Sequence, residues 1–544
     1  MPTDLLITDA LVVDGTGAPG RPGDVAITGD RIVEIAAAGS GGPARRVIEA
    51  EGRVLSPGFI DLHAHSDAAV LIDHDHLAKL SQGVTCEVLG QDGLSYAPVD
   101  DATLPVLRQQ LTGWNGDPDV DLGWPTVAGY LDALDRGIAC HAAYLVPQGT
   151  VRMLVVGDDD RPATPAELTR MAEVVRQGLV DGAVGLSSGL TYPPGMYADF
   201  EELLALCRVV AEHGGYYAPH HRSYGRGALA AYAEMIMVAR RSGCALHLTH
   251  ATLNFGVNAG RAAELLTMID GALADGLDVT LDTYPYLAGS TSLVALLPRW
   301  ATAGGPDLIM GRLADKVDRA RIAYALEVEG SEGCHGCPVD WNTIEISGVG
   351  DPALSWAVGR TVARLSAERG RSGSDVFADL LLADRLAPTI LQHVGNEENV
   401  RAIMRHPAHT GGSDAILVGE KPHPRAWGTF PRYLGHYVRE LGVLGLEDCI
   451  HHLTGRPASR LNLVDRGLVR AGHHADLVLF DRDRVRDAAT FAVPRRQAEG
   501  IDWVLVDGTP VIEDGRRTEA LPGRALRRTV SGTRVLPGPR ARRW

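Results

Sequence analysis

The sequence predicts a (β/α)8 barrel of the TIM type, accompanied by a small β-sandwich domain formed by both chain ends. Between residues 57 and 460, short apolar runs alternate with longer amphipathic segments, which is the pattern of repeated βα units around a parallel barrel. Residues 1–56 and 461–544 carry short strands separated by turns, and we assign them to the sandwich. A doubly wound sheet is the alternative, but no glycine-rich nucleotide-binding turn follows an early strand.

The composition is that of an acidic globular protein. Of its 544 residues, 45% are apolar and 22% are charged, and the formal net charge is −16. This charge argues against nucleic acid or an anionic membrane surface as a partner, because both require clustered positive charge. No apolar run reaches about 18 residues, so no membrane span is predicted. We therefore expect a small-molecule substrate as the partner, and the composition leaves a homo-oligomer open.

Cysteine usage and the N-terminus predict a cytoplasmic location. The seven cysteines are scattered and odd in number, which fits a reducing compartment better than a disulfide framework. The N-terminus has no basic segment followed by a long apolar stretch, as a signal peptide would have. Cys334-x-x-Cys337 is a close pair, but a single such pair is weak evidence for zinc binding or redox chemistry.

Both chain ends show the signals of short strands. Residues 5–14 are apolar with interspersed polar positions and end at a Gly-Thr-Gly turn. Residues 24–35 read as two strands around a Gly-Asp hairpin turn. The same pattern of short apolar runs returns at residues 475–481 and 503–514, and an Asp-Gly turn interrupts the second of these segments. The two ends therefore favour one shared β domain.

Strands and helices alternate through the middle of the chain. A threonine cap followed by a proline marks one helix start near residue 163. Between about 294 and 350 the alternation lapses, which predicts an insertion at the barrel mouth, where long loops usually carry specificity. The predicted elements are strands at 59–60, 83–90, 182–188 and 244–250, and helices at 163–176, 200–212 and 228–242.

Polar residues collect at the predicted strand ends, which is the rim where a parallel barrel places its functional groups. His63 and His65 follow a short apolar strand, and their spacing of two puts both imidazoles on one face. Imidazoles and carboxylates gathered at one rim suit a divalent transition metal such as zinc and indicate a hydrolytic metal site. The other polar residues at strand ends are Asp92, His220 or His221, His250, Asp282 and Asp414.

Several motifs, in a consistent order along the chain, carry a family resemblance. In them the chain resembles the N-acyl-D-amino-acid deacylases, or D-aminoacylases, of the amidohydrolase superfamily. The resemblance implies a (β/α)8 barrel, a two-ended β-sandwich and one or two Zn²⁺ ions. It also implies hydrolysis of the amide bond of N-acyl-D-amino acids or closely related N-acyl compounds. The matching stretches are residues 57–65, 82–85, 185–195, 282–291, 412–414, 423–432 and 466–481.

The resemblance also implies roles for individual residues. Asp414 matches the general acid/base that takes a proton from water and passes it to the departing amine. His220 is preferred to His221 because it matches the histidine of the family's motif. The implied metal ligands are His63, His65, His220 and His250, and the implied substrate-binding residues are Tyr192, Tyr284, Ser290 and Arg425.

The chain departs from the family pattern at three places. Asp92 stands where family members usually carry a zinc-binding cysteine, and a carboxylate can ligate zinc or bridge two metals. Thr252 stands where the family has a lysine that helps to hold the substrate carboxylate, although Arg425 is retained. Pro147-Gln-Gly149 replaces a Gly-His-Gly stretch. If two metals are bound, Asp92 is therefore the natural candidate for the bridge. With one cation lost, recognition of a free substrate carboxylate is less secure.

Three alternative functions stay open at the level of sequence. A D-peptide or another N-acylated amine is an alternative substrate, because one cation is lost at Thr252. A cyclic-amide hydrolase of the hydantoinase kind is disfavoured, because many amidohydrolases bridge their metals with a carboxylated lysine on a middle strand. No lysine lies between Lys79 and Lys316. An inactive assembly protein is also disfavoured, because the histidines and Asp414 are all present.

Overall fold

The computed structural model describes residues 2–529 and 535–537, and it confirms the predicted fold class. Eight parallel strands form a barrel, and a separate nine-stranded sheet joins strands from both chain ends. Helices predicted at 200–212 and 228–242 are present with the same bounds, and the helix predicted at 163–176 spans Pro165–Val180. The sequence pattern therefore located four of the eight barrel strands and three of the helices.

The strands are short and spread over the whole chain. In chain order they are β1 Thr3–Val12, β2 Arg21–Thr28, β3 Arg31–Ala36, β4 Ala44–Glu49, β5 Val54–Pro57, β6 Phe59–Asp61, β7 Val84–Leu89, β8 His141–Pro147, β9 Gly185–Gly189, β10 Tyr216–His220, β11 Ala245–Leu248, β12 Val279–Thr283, β13 Ala288–Ser292, β14 Ile344–Gly348, β15 Thr389–His393, β16 His409–Gly411, β17 Leu477–Phe480, β18 Ile501–Val506, β19 Thr509–Glu513, β20 Arg516–Arg517, β21 Leu526–Arg528 and β22 Val535–Pro537.

The helices lie mostly between consecutive barrel strands. In chain order they are α1 Ala69–Ile72, α2 Leu77–Leu80, α3 Thr103–Asn115, α4 Val127–Leu134, α5 Gln148–Val155, α6 Pro165–Val180, α7 Phe200–Glu212, α8 Ala228–Ser242, α9 Ala262–Ala274, α10 Arg299–Thr302, α11 Pro306–Ala314, α12 Lys316–Tyr324, α13 Val362–Arg369, α14 Gly373–Ala383, α15 Glu397–Met404, α16 Arg425–Arg432, α17 Leu446–Leu453 and α18 Gly455–Arg460.

The barrel strands are joined in the order β6-β7-β8-β9-β10-β11-β12-β16. Just beyond their ends, β6 and β16 meet through a parallel bridge between Ala64 and Ala415. The Asp414 amide donates to the His63 carbonyl at 2.8 Å, and the His65 amide donates to the Ala415 carbonyl at 3.2 Å. The last and first strands therefore meet where two predicted metal ligands and the predicted general base lie.

The chain ends form one hydrogen-bonded sheet in the order β20-β19-β18-β17-β5-β1-β2-β3, with β4 paired to β1. Its β2–β3 hairpin turns at Gly29-Asp30, as the sequence predicts for residues 24–35. Strand β17 pairs with β5, one residue before β6 begins the barrel. The N- and C-terminal segments are thus tied together at the base of the first barrel strand.

A further unit lies between β12 and α15. Strands β13, β15 and β14 form a three-stranded antiparallel sheet, which packs with α10 to α14 around its own apolar core. The insertion predicted at about 294–350 lies within this unit, whose strands run from Ala288 to His393. Among the described residues, no helix has the length and apolar character needed to cross a membrane.

A buried ammonium group ties three barrel strands together. Lys79 on α2 is fully buried, and its Nζ lies 2.7 Å from Asp61 Oδ2 and 3.0 Å from Glu87 Oε2. It also donates to Ser413 Oγ at 3.0 Å. Burial by itself would lower the pKa of Lys79, but the two carboxylates outweigh it and raise that pKa, so the ammonium stays charged. Lys79 is therefore paired with Asp61 and Glu87 below the barrel rim. Lys316, by contrast, is exposed to solvent.

We expect Lys79→Met to destabilise the barrel strongly. The substitution leaves two buried carboxylates without their cation, which costs about 3–5 kcal/mol in comparable buried pairs. Urea unfolding followed by circular dichroism measures the loss. The exposed Lys316→Met variant is the control and should stay within about 0.5 kcal/mol of the wild type. Equal stability of the two variants would contradict a structural role for the buried ammonium.

Candidate metal centre

Six predicted site residues converge at the carboxyl end of the barrel strands. His63 and His65 follow β6, Asp92 follows β7, and Asp414 follows β16. His220 ends β10 and His250 follows β11. All six side chains are buried. Residues far apart in sequence meet here because parallel strands end at one rim.

The Asp92 carboxylate lies among all four imidazoles. Its Oδ1 is 3.6 Å from His63 Nε2 and 3.6 Å from His250 Nε2. Its Oδ2 is 3.2 Å from His220 Nδ1 and 3.7 Å from His65 Nε2. Asp92 is therefore shared between the two pairs of histidines, which is the arrangement required of a bridging ligand.

A tight turn presents Asp92 to the cluster. Asp92 adopts a left-handed backbone with φ of 54°, between Gly90 and Gly93, which also have positive φ. A Cβ at Gly93 would lie 2.6 Å from the Gly189 amide nitrogen, so the close approach of the two chain segments requires glycine. The turn thus fixes the direction of the carboxylate by backbone packing.

Asp414 joins the histidine cluster to a buried arginine. Its Oδ1 lies 3.1 Å from His65 Nε2, and its Oδ2 lies 2.8 Å from Arg425 Nη1. Burial opposes ionisation, but the Arg425 guanidinium and the nearby His63 outweigh it and hold the pKa of Asp414 below its usual range. Asp414 is therefore a carboxylate that can accept a proton.

The donor set fits a divalent cation. His63 Nε2, His250 Nε2 and Asp92 Oδ1 are buried and have no hydrogen-bond partner, although they lie beside one another. Burial opposes protonation of His63, yet Asp414, Asp282 and Asp92 raise its pKa to about 9, which shows that the carboxylates dominate the local field. Two ligand groups share Asp92: His63, His65, Asp92 and Asp414, and Asp92, His220 and His250.

Surrounding side chains orient the imidazoles. Asp282 accepts the His250 backbone amide at 2.8 Å and lies 3.6 Å from His63 Nδ1. The Tyr224 hydroxyl is 3.0 Å from His250 Nδ1, and Thr191 Oγ1 is 2.7 Å from His220 Nε2. Such outer contacts fix the ring orientation of metal-binding histidines.

The structure brings His220, and not His221, into the cluster. The His221 ring instead packs 4.1 Å from Tyr224 and 4.1 Å from Tyr232, measured between ring centroids. Burial, followed by the charge of nearby His250, holds the pKa of His221 well below its usual value, so its ring stays neutral. The sequence preference for His220 agrees with this placement.

Two other buried acid–histidine groups contain their own cation. Glu87 lies near His76 and Cys140, but Lys79 Nζ is 3.0 Å from its carboxylate. Near the base of the barrel, Arg466 donates to Asp507 at 2.9 Å and also pairs with Asp476. In these groups a lysine or an arginine neutralises the carboxylates, whereas no lysine or arginine among the described residues is paired with Asp92.

A cavity opens above the cluster. Of the predicted substrate-binding residues, Tyr192, Tyr284 and Ser290 line it. Arg425 is fully buried behind them, with its guanidinium carbon 4.5 Å from the centre of the Tyr284 ring. Thr252, which replaces the family's lysine, also lines the cavity. The cavity is thus bounded by the cluster on one side and by the insertion at Ser290 on another.

Several cavity residues were not predicted from the sequence, and they include four aromatic or hydroxyl-bearing residues. Trp114 of α3 lies 4.9 Å from both His65 and Tyr192, measured between ring centroids. The others are Thr191, Tyr224 and His335. No strand end marks Trp114 or Tyr224, so the strand-end argument could not find them. His335 lies inside the Cys334-x-x-Cys337 motif, which draws attention to the cysteines instead.

Comparisons with known proteins agree with this architecture. Residues 46–512 match the amidohydrolase family. A D-aminoacylase of Alcaligenes xylosoxydans xylosoxydans is 36% identical, over 97% of this chain and 99% of its own length. The structure of a D-aminoacylase, solved in work on the functional role of its binuclear metal center, aligns with a TM-score of 0.82, 35% identity and coverage of 97% and 100%. N-acyl-D-glutamate deacylase from Bordetella bronchiseptica, complexed with zinc and a phosphonate inhibitor, aligns with a TM-score of 0.81, 32% identity and the same coverage.

The barrel and the buried imidazole–carboxylate cluster at its rim define the chain as a metal-dependent hydrolase. The chain belongs to the amidohydrolase family. The resemblance of its motifs to the N-acyl-D-amino-acid deacylases is confirmed over nearly the whole length.

We expect Asp92→Asn to lose metal. Asparagine keeps the shape and tolerates the left-handed backbone, but it removes the charge shared by the two histidine pairs. Because loss of an outer partner already weakens metal binding by about 10- to 100-fold, loss of a shared ligand should weaken it by more than about 100-fold. Zinc per protein after dialysis against a competing chelator measures the effect. Asp24→Asn, at a buried carboxylate of β2, is the control. Equal zinc content in both variants would exclude Asp92 as a ligand.

Proposed function

We propose that this protein hydrolyses the amide bond of N-acyl-D-amino acids, or of closely related N-acyl compounds, with the help of zinc. The observation that carries the proposal is the position of Asp414, an ionised carboxylate that lines the cavity and touches the cluster centred on Asp92. The relatives that cover nearly the whole chain include a D-aminoacylase and a zinc-containing N-acyl-D-glutamate deacylase. Their activities support the choice of substrate class.

The ligand set defines how many zinc ions the site could hold. His220, His250 and Asp92 would hold one ion, and His63, His65 and Asp92 would hold a second. When bound, zinc supplies a Lewis acid that polarises the amide carbonyl and makes water more acidic. Asp92 is the ligand common to both positions, so we propose it as the bridge.

Asp414 performs the proton transfers of the proposed reaction. As a carboxylate it takes a proton from the attacking water through Oδ1 or Oδ2, and it then delivers that proton to the nitrogen of the departing amine. Arg425 holds Oδ2 at 2.8 Å and keeps the carboxylate ionised before the reaction. Because Asp414 both accepts the proton from water and delivers it to the amine, the proposed reaction needs no second titratable residue.

Recognition of the substrate carboxylate falls to Arg425 together with Tyr192, Tyr284 and Ser290. Arg425 is buried behind this wall of the cavity, where its guanidinium lies against the Tyr284 ring and donates to the Ser290 carbonyl at 3.5 Å. With Thr252 in place of a second cation, a single guanidinium carries this function. A substrate with one carboxylate is therefore favoured.

The alternative functions are less well supported. A bridging carboxylated lysine is the feature expected of a cyclic-amide hydrolase, and Lys79 is occupied by Asp61 and Glu87.

A cytoplasmic location is proposed, supported by seven cysteines that are all unpaired. A homo-oligomer stays a prediction.

We expect Asp414→Asn to lower kcat by about 10²- to 10⁴-fold on N-acetyl-D-amino acids, because it removes the general base. Release of acetate by the zinc-loaded enzyme measures the rate, with L-enantiomers assayed in parallel and zinc content determined for each variant. Asp24→Asn should keep the wild-type kcat. Turnover of L-substrates or other amides, with none of any D-substrate, would overturn the proposed substrate class.

We expect Arg425→Gln to impair carboxylate substrates selectively. N-acetyl-D-leucine carries a carboxylate, and N-acetyl-D-leucinamide is its neutral counterpart. The variant should raise KM for the acid by at least about tenfold, because a charge-assisted contact is lost, and leave KM for the amide nearly unchanged. Any effect through Asp414 should lower kcat for both substrates alike. Equal changes in KM for both would show that Arg425 serves Asp414 alone.

A further inference from the structure

The Cys334-x-x-Cys337 motif forms a turn that brings His335 to the cavity. Cys334 and Cys337 are buried, whereas His335 between them is partly exposed. The Cys337 amide donates to the Cys334 carbonyl at 3.1 Å, which closes the turn. His335 lines the cavity above the metal cluster and also a second, outer depression of the surface. The imidazole therefore stands between the active-site cavity and the outside.

The backbone of His335 adopts an uncommon conformation. Its φ is 57°, in the left-handed region that few residues other than glycine adopt. Its carbonyl accepts the Arg226 amide at 3.0 Å, and Arg226 Nε donates to the Gly336 carbonyl at 3.0 Å. Conformations of this kind cost about 1–3 kcal/mol and concentrate at functional sites. Contacts outside the turn thus hold the imidazole where it faces the cavity.

The ring of His335 is fixed and neutral. It packs edge-on against Tyr224 and Phe255, at 5.4 Å and 5.8 Å between ring centroids. Burial, followed by the charges of His220 and His250, lowers the pKa of His335 to about 3. Its Nδ1 is enclosed without a hydrogen-bond partner. A buried N–H group without a hydrogen-bond partner is rarer than a buried acceptor without one. Nδ1 is therefore assigned as the unprotonated acceptor, and Nε2 carries the proton and can act as a hydrogen-bond donor.

The described cavity wall around His335 carries no lysine or arginine. Within the described part of the chain, neither residue type lines the cavity, and the carboxylates that line it are Asp92 and Asp414. The lining residues beside His335 are neutral: Tyr224 and Phe255, whose rings contact its ring, and Gly333. An acidic group at this part of the wall would find no arginine or lysine to pair with. A neutral group with a hydrogen-bond acceptor matches this wall better.

We propose that His335 is a specificity residue, which donates a hydrogen bond from Nε2 to a neutral acceptor group on the substrate away from the scissile amide. This inference rests on the proposed deacylase function. Arg425 lies beside Tyr284 and Asp414, whereas His335 lies beside Tyr224 and Phe255, so the two residues serve different parts of the substrate. The acceptor is an amide, ether or hydroxyl oxygen, carried either by the amino-acid side chain or by the acyl group.

Two pairs of nearly isosteric substrates distinguish an acceptor on the amino-acid side chain from an acceptor on the acyl group. N-acetyl-D-asparagine and N-acetyl-D-leucine differ in the side chain, and N-methoxyacetyl-D-leucine and N-butanoyl-D-leucine differ in the acyl group. For each pair, the ratio of kcat/KM for the polar member to that for the apolar member is measured with the zinc-loaded enzyme. A hydrogen bond from His335 should appear in one of these ratios.

Three variants test the residue itself. His335→Gly removes the imidazole and suits the left-handed backbone. His335→Leu removes the hydrogen-bond donor while filling the space, so it reports on chemistry if the glycine variant is unstable. His335→Gln places an amide nitrogen near the position of Nε2 and should restore the preference. Arg385→Gly is the matched control, because Arg385 is an exposed left-handed residue of the same insertion that does not line the cavity.

We expect the polar-to-apolar ratio to fall about tenfold in one pair for both the Gly and the Leu variant. The change should lie mainly in KM, with zinc content and kcat for the apolar substrates within about twofold of the wild type. Arg385→Gly should leave both ratios unchanged. If the wild type is active and both ratios in His335→Gly and in His335→Leu stay within about twofold of the wild-type ratios, His335 is not a specificity residue. If the wild type hydrolyses none of the four substrates, the proposed function fails instead.

Discussion

The sharing of one carboxylate, Asp92, among four buried imidazoles is the constraint on which the site depends. Burial disfavours unpaired polar atoms, yet His63, His250 and Asp92 leave buried ligand atoms without partners. The negative field of the carboxylates is strong enough to raise the pKa of His63, although its burial acts in the opposite direction. A cation between these groups would satisfy them. A bound metal would therefore stabilise this part of the barrel as well as supply chemistry.

Closure of the barrel sets the positions of the proposed metal ligands and of the proposed general base. Strands β6 and β16 meet through backbone hydrogen bonds between residues 63–65 and 414–415, so His63 and Asp414 are held in register by the backbone. Beneath them, Asp61 accepts the Ser413 amide at 2.9 Å and the His63 amide at 3.2 Å. Lys79 neutralises Asp61 from the adjacent helix. Preorganisation of Asp414 thus depends on buried groups that do not touch the substrate.

The sequence was sufficient to predict the barrel, the two-ended sheet and the residues that gather at the rim. It succeeded because polar residues that end apolar strands, such as Asp92 and His250, must lie at one rim of a parallel barrel. The sequence could not predict the buried contacts of Lys79, because Asp61, Glu87 and Ser413 lie on or just after three different strands. It also could not predict Tyr224 as a cavity residue, because Tyr224 does not directly follow a strand end. The insertion extends beyond its predicted range, because α13 and α14 have ordinary amphipathic patterns that do not separate them from barrel helices.

The molecule divides its functions between the two parts that enclose the cavity. The barrel rim supplies the candidate metal ligands and Asp414, and the insertion supplies Ser290 and His335, which line the cavity. The central claim is that Asp92 joins the two histidine pairs through bound metal. Anomalous diffraction at the zinc absorption edge, from crystals grown with zinc, tests this claim most directly. We expect an anomalous peak within bonding distance of Asp92, with His220 and His250 or with His63 and His65 as the other ligands. Peaks that avoid Asp92, or that lie only at another acid–histidine group such as that of Glu87, would contradict it.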